Sequence, residues 1–227
     1  MKVSIIIPVY NKLSMTLDCL NDLMMTSYPD FEIILVDDGS KEPIFSTIKK
    51  IFPTIKVLKN EKNLGFAKAV NKGIKESVGD LVLLLNNDIR LPNNKWLNCM
   101  IETLHNDCLD ITAPAGGRFD KKWNYLPGEA TKKNEKYSFL PFWCVLIKRD
   151  VFNKIGLIPE IFDKGFFEDV LFCYKAKKNN FKLGICENTG VKHLYHQTFK
   201  SIGSDLKKEY EEKRNIFLKE IGFKNND

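Results

Sequence analysis

Acidic and amide side chains occur at two places where a predicted strand ends. Asp37 and Asp38 follow one apolar run, and Asn86, Asn87 and Asp88 follow another. Their oxygens can accept hydrogen bonds from a nucleoside or bind a hard divalent cation such as Mg²⁺ or Mn²⁺. Each motif alone is also typical of an ordinary turn, because Asp and Asn stabilise turns through their side chains. These residues therefore permit a nucleotide or cation site without establishing one.

A further acidic pair, Glu168-Asp169, follows two phenylalanines and opens a helical pattern. One carboxylate can cap the helix while the other faces a pocket. Because neighbouring carboxylates raise each other's pKa, one of them could act as a general base near neutral pH. Capping alone explains the pair equally well.

His193 and His196 lie close together after the last predicted strand. Either could bind a metal ion, although a hydrogen-bonded structural histidine is the commoner alternative. The sequence contains no Walker A loop, G-x-G-x-x-G, H-E-x-x-H or G-x-S-x-G motif. ATPase, dehydrogenase, zinc-protease and esterase functions therefore lack support.

The elements that must position these residues alternate between strand and helix. Strands are predicted at residues 3–9, 31–36, 55–58 and 80–85, and helices at residues 12–26, 67–78 and 96–107. Three of the four strand runs are apolar almost throughout, which is typical of parallel strands covered on both faces. The pattern predicts a doubly wound α/β domain, whose ligands bind at the carboxyl ends of the strands.

The later part of the chain is less regular. Residues 116–137 mix Gly, Pro, Lys and Asn with Trp123 and Tyr125 and show no sustained period, which predicts a long loop. Such a loop could contact an acceptor or close over the site, or it could be a plain insertion. Beyond it we expect a strand at residues 144–148, a helix beginning near Asp169, a strand at residues 182–186 and a terminal helix at residues 204–221.

Composition is that of an ordinary globular protein, with 44% hydrophobic and 28% charged residues in a chain of 227, so we expect one domain over residues 1–227. Lys and Arg exceed Asp and Glu by 35 to 29, mostly through scattered lysines, and no nucleic-acid-binding motif occurs. The six cysteines form no C-x-x-C pair, and no apolar run is long enough to span a membrane. We expect a cytoplasmic protein without a signal peptide and without a nucleic-acid partner, and peripheral contact with the inner face of the membrane stays open.

Five ordered motifs distinguish the chain from an arbitrary α/β protein. They are Pro8-Val9-Tyr10-Asn11, Val36-Asp37-Asp38-Gly39-Ser40, Asn63-Leu64-Gly65-Phe66-Ala67 with Asn71 and Gly73, Leu85-Asn86-Asn87-Asp88 with Pro92 and Trp96, and Phe167-Glu168-Asp169-Val170. In this order they resemble glycosyltransferase family 2 over nearly the whole chain. The resemblance departs from the family's pattern at Asn86, which stands where the metal motif usually has Asp, and at Leu171 and Lys175, which replace Asp and Arg.

The resemblance implies the GT-A fold, an α/β/α sandwich with a mainly parallel mixed sheet. Residues 1–92 would form the nucleotide-sugar-binding half, and residues 93–227 the acceptor-binding half with its C-terminal helix. The implied donor-binding residues are Pro8, Val9, Tyr10, Asn11, Asp37, Asp38, Asn63, Gly65, Phe66, Asn71, Asn86 and Asn87. Asp88 and His193 would bind Mn²⁺ or Mg²⁺, and Asp169, or else Glu168, would be the catalytic base.

The activity implied by the resemblance is inverting transfer of a sugar from a nucleotide diphosphate, UDP or dTDP, to an acceptor hydroxyl. The acceptor would be a glycan, free or carried on a lipid. The alternative is a non-catalytic module or scaffold that binds nucleotide sugars, although retention of Asp88, Glu168 and Asp169 argues against it.

Overall fold

The computed structural model describes residues 1–163, 165–194 and 206–223. The strands in this part of the chain are β1 (Val3–Val9), β2 (Phe31–Asp38), β3 (Lys56–Asn60), β4 (Leu81–Leu85), β5 (Ile89–Arg90), β6 (Ile111–Ala113), β7 (Gly116–Phe119), β8 (Tyr125–Ala130), β9 (Cys144–Lys148), β10 (Leu183–Ile185) and β11 (Lys192–His193). The helices are α1 (Leu13–Met24), α2 (Ile44–Ile51), α3 (Phe66–Lys75), α4 (Trp96–Asn106), α5 (Arg149–Ile155), α6 (Glu168–Lys178) and α7 (Leu206–Glu220).

A seven-stranded sheet with the order β3-β2-β1-β4-β9-β6-β10 forms the centre of the fold. β9 pairs antiparallel with both β4 and β6, whereas the other neighbouring pairs are parallel. Two small antiparallel ribbons, β5 with β11 and β7 with β8, accompany it. The predicted α/β architecture with a mainly parallel mixed sheet is confirmed.

Helices cover both faces of the sheet. In β1, Ile5 and Ile7 contribute to the core under α1, α2 and α4, while Ile6 contributes to the core under α3, α5 and α6. All three side chains are fully buried. Since successive side chains of a strand point to opposite faces, burial on both sides explains why these strands are apolar at nearly every position.

Close packing of α3 against the sheet depends on Gly73. A Cβ atom at this position would lie 2.4 Å from Cγ2 of Ile6, which is shorter than any normal carbon–carbon contact. The absence of a side chain therefore lets α3 lie directly on β1, and this fixes where the segment that precedes α3 reaches the edge of the sheet.

The prediction of a loop over residues 116–137 was wrong, because β7 and β8 form a hairpin there. Pro127 and Gly128 lie within β8, and Gly117 lies within β7; these residue types are depleted in strands. Gly117 is needed because a Cβ atom there would lie 2.2 Å from the ring of Phe139. Helices α2 and α5 were also not predicted, since both are short.

Within the described ranges, we find no helix that combines the length and the apolar character needed to cross a bilayer.

Candidate active site

A cavity of about 460 Å³ lies at the edge of the sheet where β1, β2 and β4 end. The first turn of α6 and the residues just before β9 also reach this cavity. The predicted site residues that line it are Pro8, Val9, Tyr10, Asp38, Asn63, Gly65, Phe66, Asn86, Asn87, Asp88, Glu168, Asp169 and His193. The structure thus brings together residues that are far apart in the sequence.

Asp38, the last residue of β2, fixes the segment that follows β3. Its buried carboxylate accepts hydrogen bonds from the side-chain amide of Asn60 at 2.7 Å and from the backbone N–H groups of Leu64 and Gly65 at 3.0 and 2.9 Å. Gly65 then opens α3 at a φ of 90°, which favours glycine. Because a carboxylate has about four acceptor sites, these bonds leave room for one from a nucleoside.

Three predicted donor-binding residues are not among those that line the cavity. The Asp37 carboxylate accepts the backbone N–H of Ser40 at 2.9 Å, and the Asn11 side-chain oxygen accepts that of Lys41 at 2.9 Å. Asn71 exchanges two hydrogen bonds with the backbone of Ile158, at 2.8 and 3.0 Å. All three side chains therefore hold neighbouring segments in place, and their contact with a donor stays a prediction.

The two amides before Asp88 make different contacts. The backbone N–H of Asn86 donates to the carbonyl of Trp143 at 2.9 Å, which ties the end of β4 to the residue before β9. The buried side chain of Asn87 donates to the Thr16 hydroxyl on α1 at 3.0 Å. Asn87 therefore anchors the turn to a helix.

Asp88 and His193 lie side by side through the β5–β11 ribbon. His193 is opposite Ile89 in this ribbon, and the N–H of Leu194 donates to the carbonyl of Asp88 at 2.9 Å. The side chains meet, with Nε2 of His193 3.3 Å from Oδ1 of Asp88, and both are at most 10% exposed. His196 lies outside the described residues.

This pair is suited to a divalent cation. Oδ1 of Asp88 is buried and accepts no hydrogen bond from the described part of the chain, and such an oxygen is costly unless something compensates its charge. The same part of the chain contains no cluster of three or more potential His, Cys, Asp or Glu ligands. Two ligands suffice where a bound diphosphate and water complete the shell, as is usual for Mg²⁺. The residues therefore fit an ion held jointly with a diphosphate.

Glu168 and Asp169 form the first turn of α6. Burial raises the pKa of both carboxyl groups, and the nearby charge of Asp169 raises the pKa of Glu168 further. Oδ1 of Asp169 accepts the N–H of Val170 at 2.8 Å, which opposes the rise in the pKa of Asp169. Oε2 of Glu168 is buried without a hydrogen-bond donor among the described residues. The pair can thus supply a proton acceptor of raised basicity inside the cavity.

The backbone before this pair is strained. Phe166 and Phe167 have φ angles of 66° and 68°, a left-handed conformation that costs a bulky residue about 1–3 kcal/mol. Packing compensates for this cost, because the ring centroid of Phe167 lies 5.3 Å from that of Tyr210 and 5.4 Å from that of Phe217. Both of these residues are on α7. Helix α7 therefore helps to hold the turn that delivers Glu168 and Asp169.

Thirteen further residues that line the cavity were not predicted as site residues, and five of them come from the hairpin, from α7 and from the position before β9. Phe119, Tyr125 and Glu129 come from the β7–β8 hairpin, Trp143 precedes β9, and Tyr210 comes from α7. Burial raises the pKa of Tyr125, and the nearby charges of Glu129 and Asp169 raise it further. For the hairpin residues, the sign in the sequence was the presence of aromatic residues in the segment expected to be a loop.

Comparison with known proteins identifies relatives of this chain. The model of the family described as "Glycosyl transferase family 2" matches residues 4–156. The glycosyltransferase AglE of Haloferax volcanii is 25% identical over 218 residues, which cover 80% of this chain and 71% of AglE. An uncharacterized glycosyltransferase of Rickettsia bellii is 33% identical over 127 residues, which cover 55% of this chain but only 18% of that protein.

Solved structures share the fold at low sequence identity. TarS of S. aureus in complex with UDP-GlcNAc has a TM-score of 0.73 at 21% identity, covering 100% of this chain and 68% of TarS. The mannosyltransferase PcManGT of Pyrobaculum calidifontis, in complex with GDP-Man and Mn²⁺, has a TM-score of 0.70 at 14% identity, covering 88% of this chain and 59% of that one. GalNAc-T7 with UDP, GalNAc and Mn²⁺ has a TM-score of 0.72 at 18% identity, covering 87% of this chain and 44% of that one.

The family match extends from β1 through α5, well over half of the chain, and the matching folds include the whole central sheet. Both findings agree with the motifs that converge on the cavity. The chain therefore belongs to glycosyl transferase family 2, and it is a glycosyltransferase with the GT-A fold.

Proposed function

We propose that this protein transfers a sugar from a nucleotide diphosphate to a hydroxyl of a glycan or lipid-linked glycan, with inversion at the anomeric carbon. The observation that carries the proposal is the convergence of Asp38, Asp88 and Asp169 on one cavity, although 50 and 81 residues separate successive members along the chain. In this proposal Asp38 would bind the nucleoside, Asp88 would bind the cation, and Asp169 would accept the proton of the acceptor.

A cation is part of this proposal. The cavity wall includes the carboxylates of Asp38, Asp88, Glu129, Glu168 and Asp169, and these would repel a diphosphate whose charge is not neutralised. Asp88 and His193 would hold the ion, which supplies compensation for the negative charge that develops on the departing diphosphate. The structures of PcManGT and GalNAc-T7 contain Mn²⁺ together with a nucleotide, and this supports Mn²⁺, with Mg²⁺ as the alternative.

The chemical step then depends on α6. Asp169 takes the proton of the acceptor hydroxyl, whose oxygen forms a bond to the anomeric carbon as the bond to the diphosphate breaks on the opposite face. Burial raises the pKa of Asp169, so the carboxylate is a stronger base than an ordinary aspartate. The cavity holds both substrates in line, which removes much of the entropic cost of their meeting.

The donor is proposed to be a UDP-sugar, with a dTDP-sugar as the alternative. The UDP and UDP-GlcNAc complexes among the solved relatives support the first choice. We place the reaction in the cytoplasm, at the inner face of the membrane if the acceptor is carried on a lipid.

Thermal-shift measurements test the donor assignment. The protein is screened against UDP, GDP, dTDP and CMP sugars, each with and without Mn²⁺. We expect one nucleotide class to raise the Tm, and to raise it more with Mn²⁺, because a bound ligand stabilises the folded state. The selected donor is then incubated with simple glycosides, and NMR of the product reports its anomeric configuration.

Three results would contradict the proposal. Binding without hydrolysis or transfer would support the alternative of a non-catalytic module. Retention of configuration would exclude direct displacement with Asp169 as the base. Full turnover in the presence of EDTA would remove the ion from the mechanism.

A further inference from the structure

The indole ring of Trp143 packs against the face of His193. The two rings are stacked, with centroids 5.1 Å apart and planes only 14° from parallel. Both residues line the cavity, and Trp143 is 8% exposed. The ring that carries one of the two candidate metal ligands is therefore covered on one face by a large, buried aromatic surface.

Trp143 is itself held from two sides. Its carbonyl accepts the backbone N–H of Asn86 at 2.9 Å, which fixes the main chain of Trp143 to the strand end that precedes Asp88. Its indole N–H donates to Oε1 of Glu129 at 3.4 Å, a long hydrogen bond to a charged acceptor on β8. The hairpin and the end of β4 together set the orientation of the indole.

These contacts form a continuous series. It begins at Glu129, continues through the indole N–H and the stacked rings to His193, and ends at Oδ1 of Asp88, 3.3 Å from Nε2 of His193. We infer that Trp143 is a positioning residue that orients His193 for the divalent ion, and that Glu129 orients Trp143. The inference rests on the metal site of the proposed function.

The physical reason is the strict direction of the ligand bond. An imidazole binds a metal along one nitrogen lone pair, so rotation of the ring removes the ligand, and residues that fix ligand rings typically change metal affinity by about 10–100-fold. Stacking restricts the tilt of the His193 ring, while the contact with Asp88 restricts its rotation within the plane. A merely space-filling Trp143 would stabilise the fold without affecting the metal.

Titration of Mn²⁺ in the presence of saturating UDP, followed by calorimetry and by the EPR signal of free Mn²⁺, separates these roles. Trp143→Leu removes the ring, and we expect it to weaken Mn²⁺ binding by about 10–100-fold. Trp143→Phe retains a ring for stacking and Glu129→Ala removes only the long hydrogen bond, so both should lose less affinity than Trp143→Leu.

Two controls keep the test specific. Phe152→Leu removes a buried ring that packs on Phe172, away from the cavity, and it should lower the Tm while leaving Mn²⁺ affinity unchanged. Because Trp143 acts through His193, the double variant Trp143→Leu/His193→Ala should bind Mn²⁺ as weakly as His193→Ala alone.

The inference is overturned if Trp143→Leu binds Mn²⁺ as tightly as the wild type, or if His193→Ala does so. It is also overturned if the double variant loses as much Mn²⁺ affinity as the two single variants together. Failure of the proposed function gives a different result. A wild type that turns over no nucleotide sugar, yet shows the expected order of Mn²⁺ affinities, would refute catalysis and support the positioning role. Transfer of the sugar without any Mn²⁺ binding would support catalysis and refute the positioning role.

Discussion

Asp169 and Glu168 are adjacent but differ in their surroundings. Asp169 accepts the N–H of Val170 at 2.8 Å, whereas Oε2 of Glu168 is buried with no donor in the described ranges. Lys213 on α7 lies near enough to lower the pKa of Glu168, although burial outweighs it. The hydrogen bond favours the ionised form of Asp169, and a base must be ionised before it can accept a proton.

We therefore expect Asp169→Asn to lower the rate of sugar transfer by about 10²–10⁴-fold, the usual contribution of a general base. The amide has nearly the same shape but cannot accept the proton, so nucleotide affinity should change little. Radiolabelled donor assays give the rate and calorimetry gives the affinity. Glu168→Gln is the matched variant and should retain more activity than Asp169→Asn; the opposite order would assign the base to Glu168.

The raised pKa values also predict the pH profile. Because the base must be ionised, activity should increase as pH rises through the pKa of the pair. Burial raises this pKa, so the acidic limb of kcat should lie above the ordinary carboxyl range of about 4. The charge of Asp169 helps to raise the pKa of Glu168 above that of Asp169, so Glu168 is still protonated as Asp169 ionises, and Glu168→Gln should move the limb little. A limb centred near pH 4 in the wild type would contradict the assignment.

Sequence patterns anticipated half of the residues that line the cavity, since polar residues at the ends of buried strands must meet at one edge of a parallel sheet. They did not reveal Trp143 or Glu129. Trp143 lies between two apolar segments and has the appearance of a core residue, and its contact with His193 joins positions 50 residues apart. No local periodicity encodes such a contact.

Among the secondary-structure elements, the β7–β8 hairpin and α7 support each other beside the cavity. Arg214 on α7 donates from Nε to the carbonyl of Trp123 at 3.0 Å and from Nη2 to that of Lys122, and both acceptors lie in the turn of the hairpin. The ring of Trp123 also packs on Phe217, with centroids 4.8 Å apart. The helix therefore holds the hairpin in place from one side.

We expect Arg214→Ala to lower the free energy of unfolding by about 1–3 kcal/mol, because it removes charge-assisted hydrogen bonds to two carbonyls. Loss of this support should also expose the hairpin turn to limited proteolysis. Urea denaturation and peptide mapping measure the two effects. Glu212→Ala, at an exposed position of the same helix, is the control and should change stability by less than about 0.5 kcal/mol. Equal protease resistance of wild type and Arg214→Ala would contradict the role of the helix.

Elements with strong periodicity could be predicted and the hairpin could not. β1 and β9 have the predicted bounds, because apolar β-branched runs have few alternatives. β8 contains a proline and a glycine and is largely exposed, so only its pairing with β7 makes it a strand. Such pairing depends on tertiary contacts that composition does not record.

In the molecule as a whole, two separate cores lie on the two faces of one sheet. Burial of the sheet on both faces was predictable, since it makes the strands apolar at nearly every position. The order of the strands was not predictable, because nothing in the sequence of β9 indicates that it lies between β4 and β6. Short β6 also gave a weak pattern and was not predicted, whereas β10 lies within the strand predicted at residues 182–186.

Gly73 provides a test of how closely the helical layer packs on the sheet. We expect Gly73→Ala to destabilise the protein, because overpacking against Ile6 costs about 1–3 kcal/mol and exceeds the gain of about 1 kcal/mol in helix propensity. Equilibrium unfolding gives the value, and Lys75→Ala on the exposed side of α3 is the control. The double variant Ile6→Ala/Gly73→Ala should lose less free energy of unfolding than the two single variants lose together. A stabilised Gly73→Ala variant would contradict the close approach.

The reversed direction of β9 has a consequence for how such proteins diverge. Because β6 runs parallel to β4 and β9 opposes both, the chain leaves the sheet at Ala113 and returns at Cys144 along the same edge. The exposed residues 131–136, which lie between β8 and the next buried segment, can therefore lengthen, shorten or be replaced without moving any strand of the sheet. Evolution, or an engineer, could thus vary this loop as a separate cassette while the sheet stays as it is.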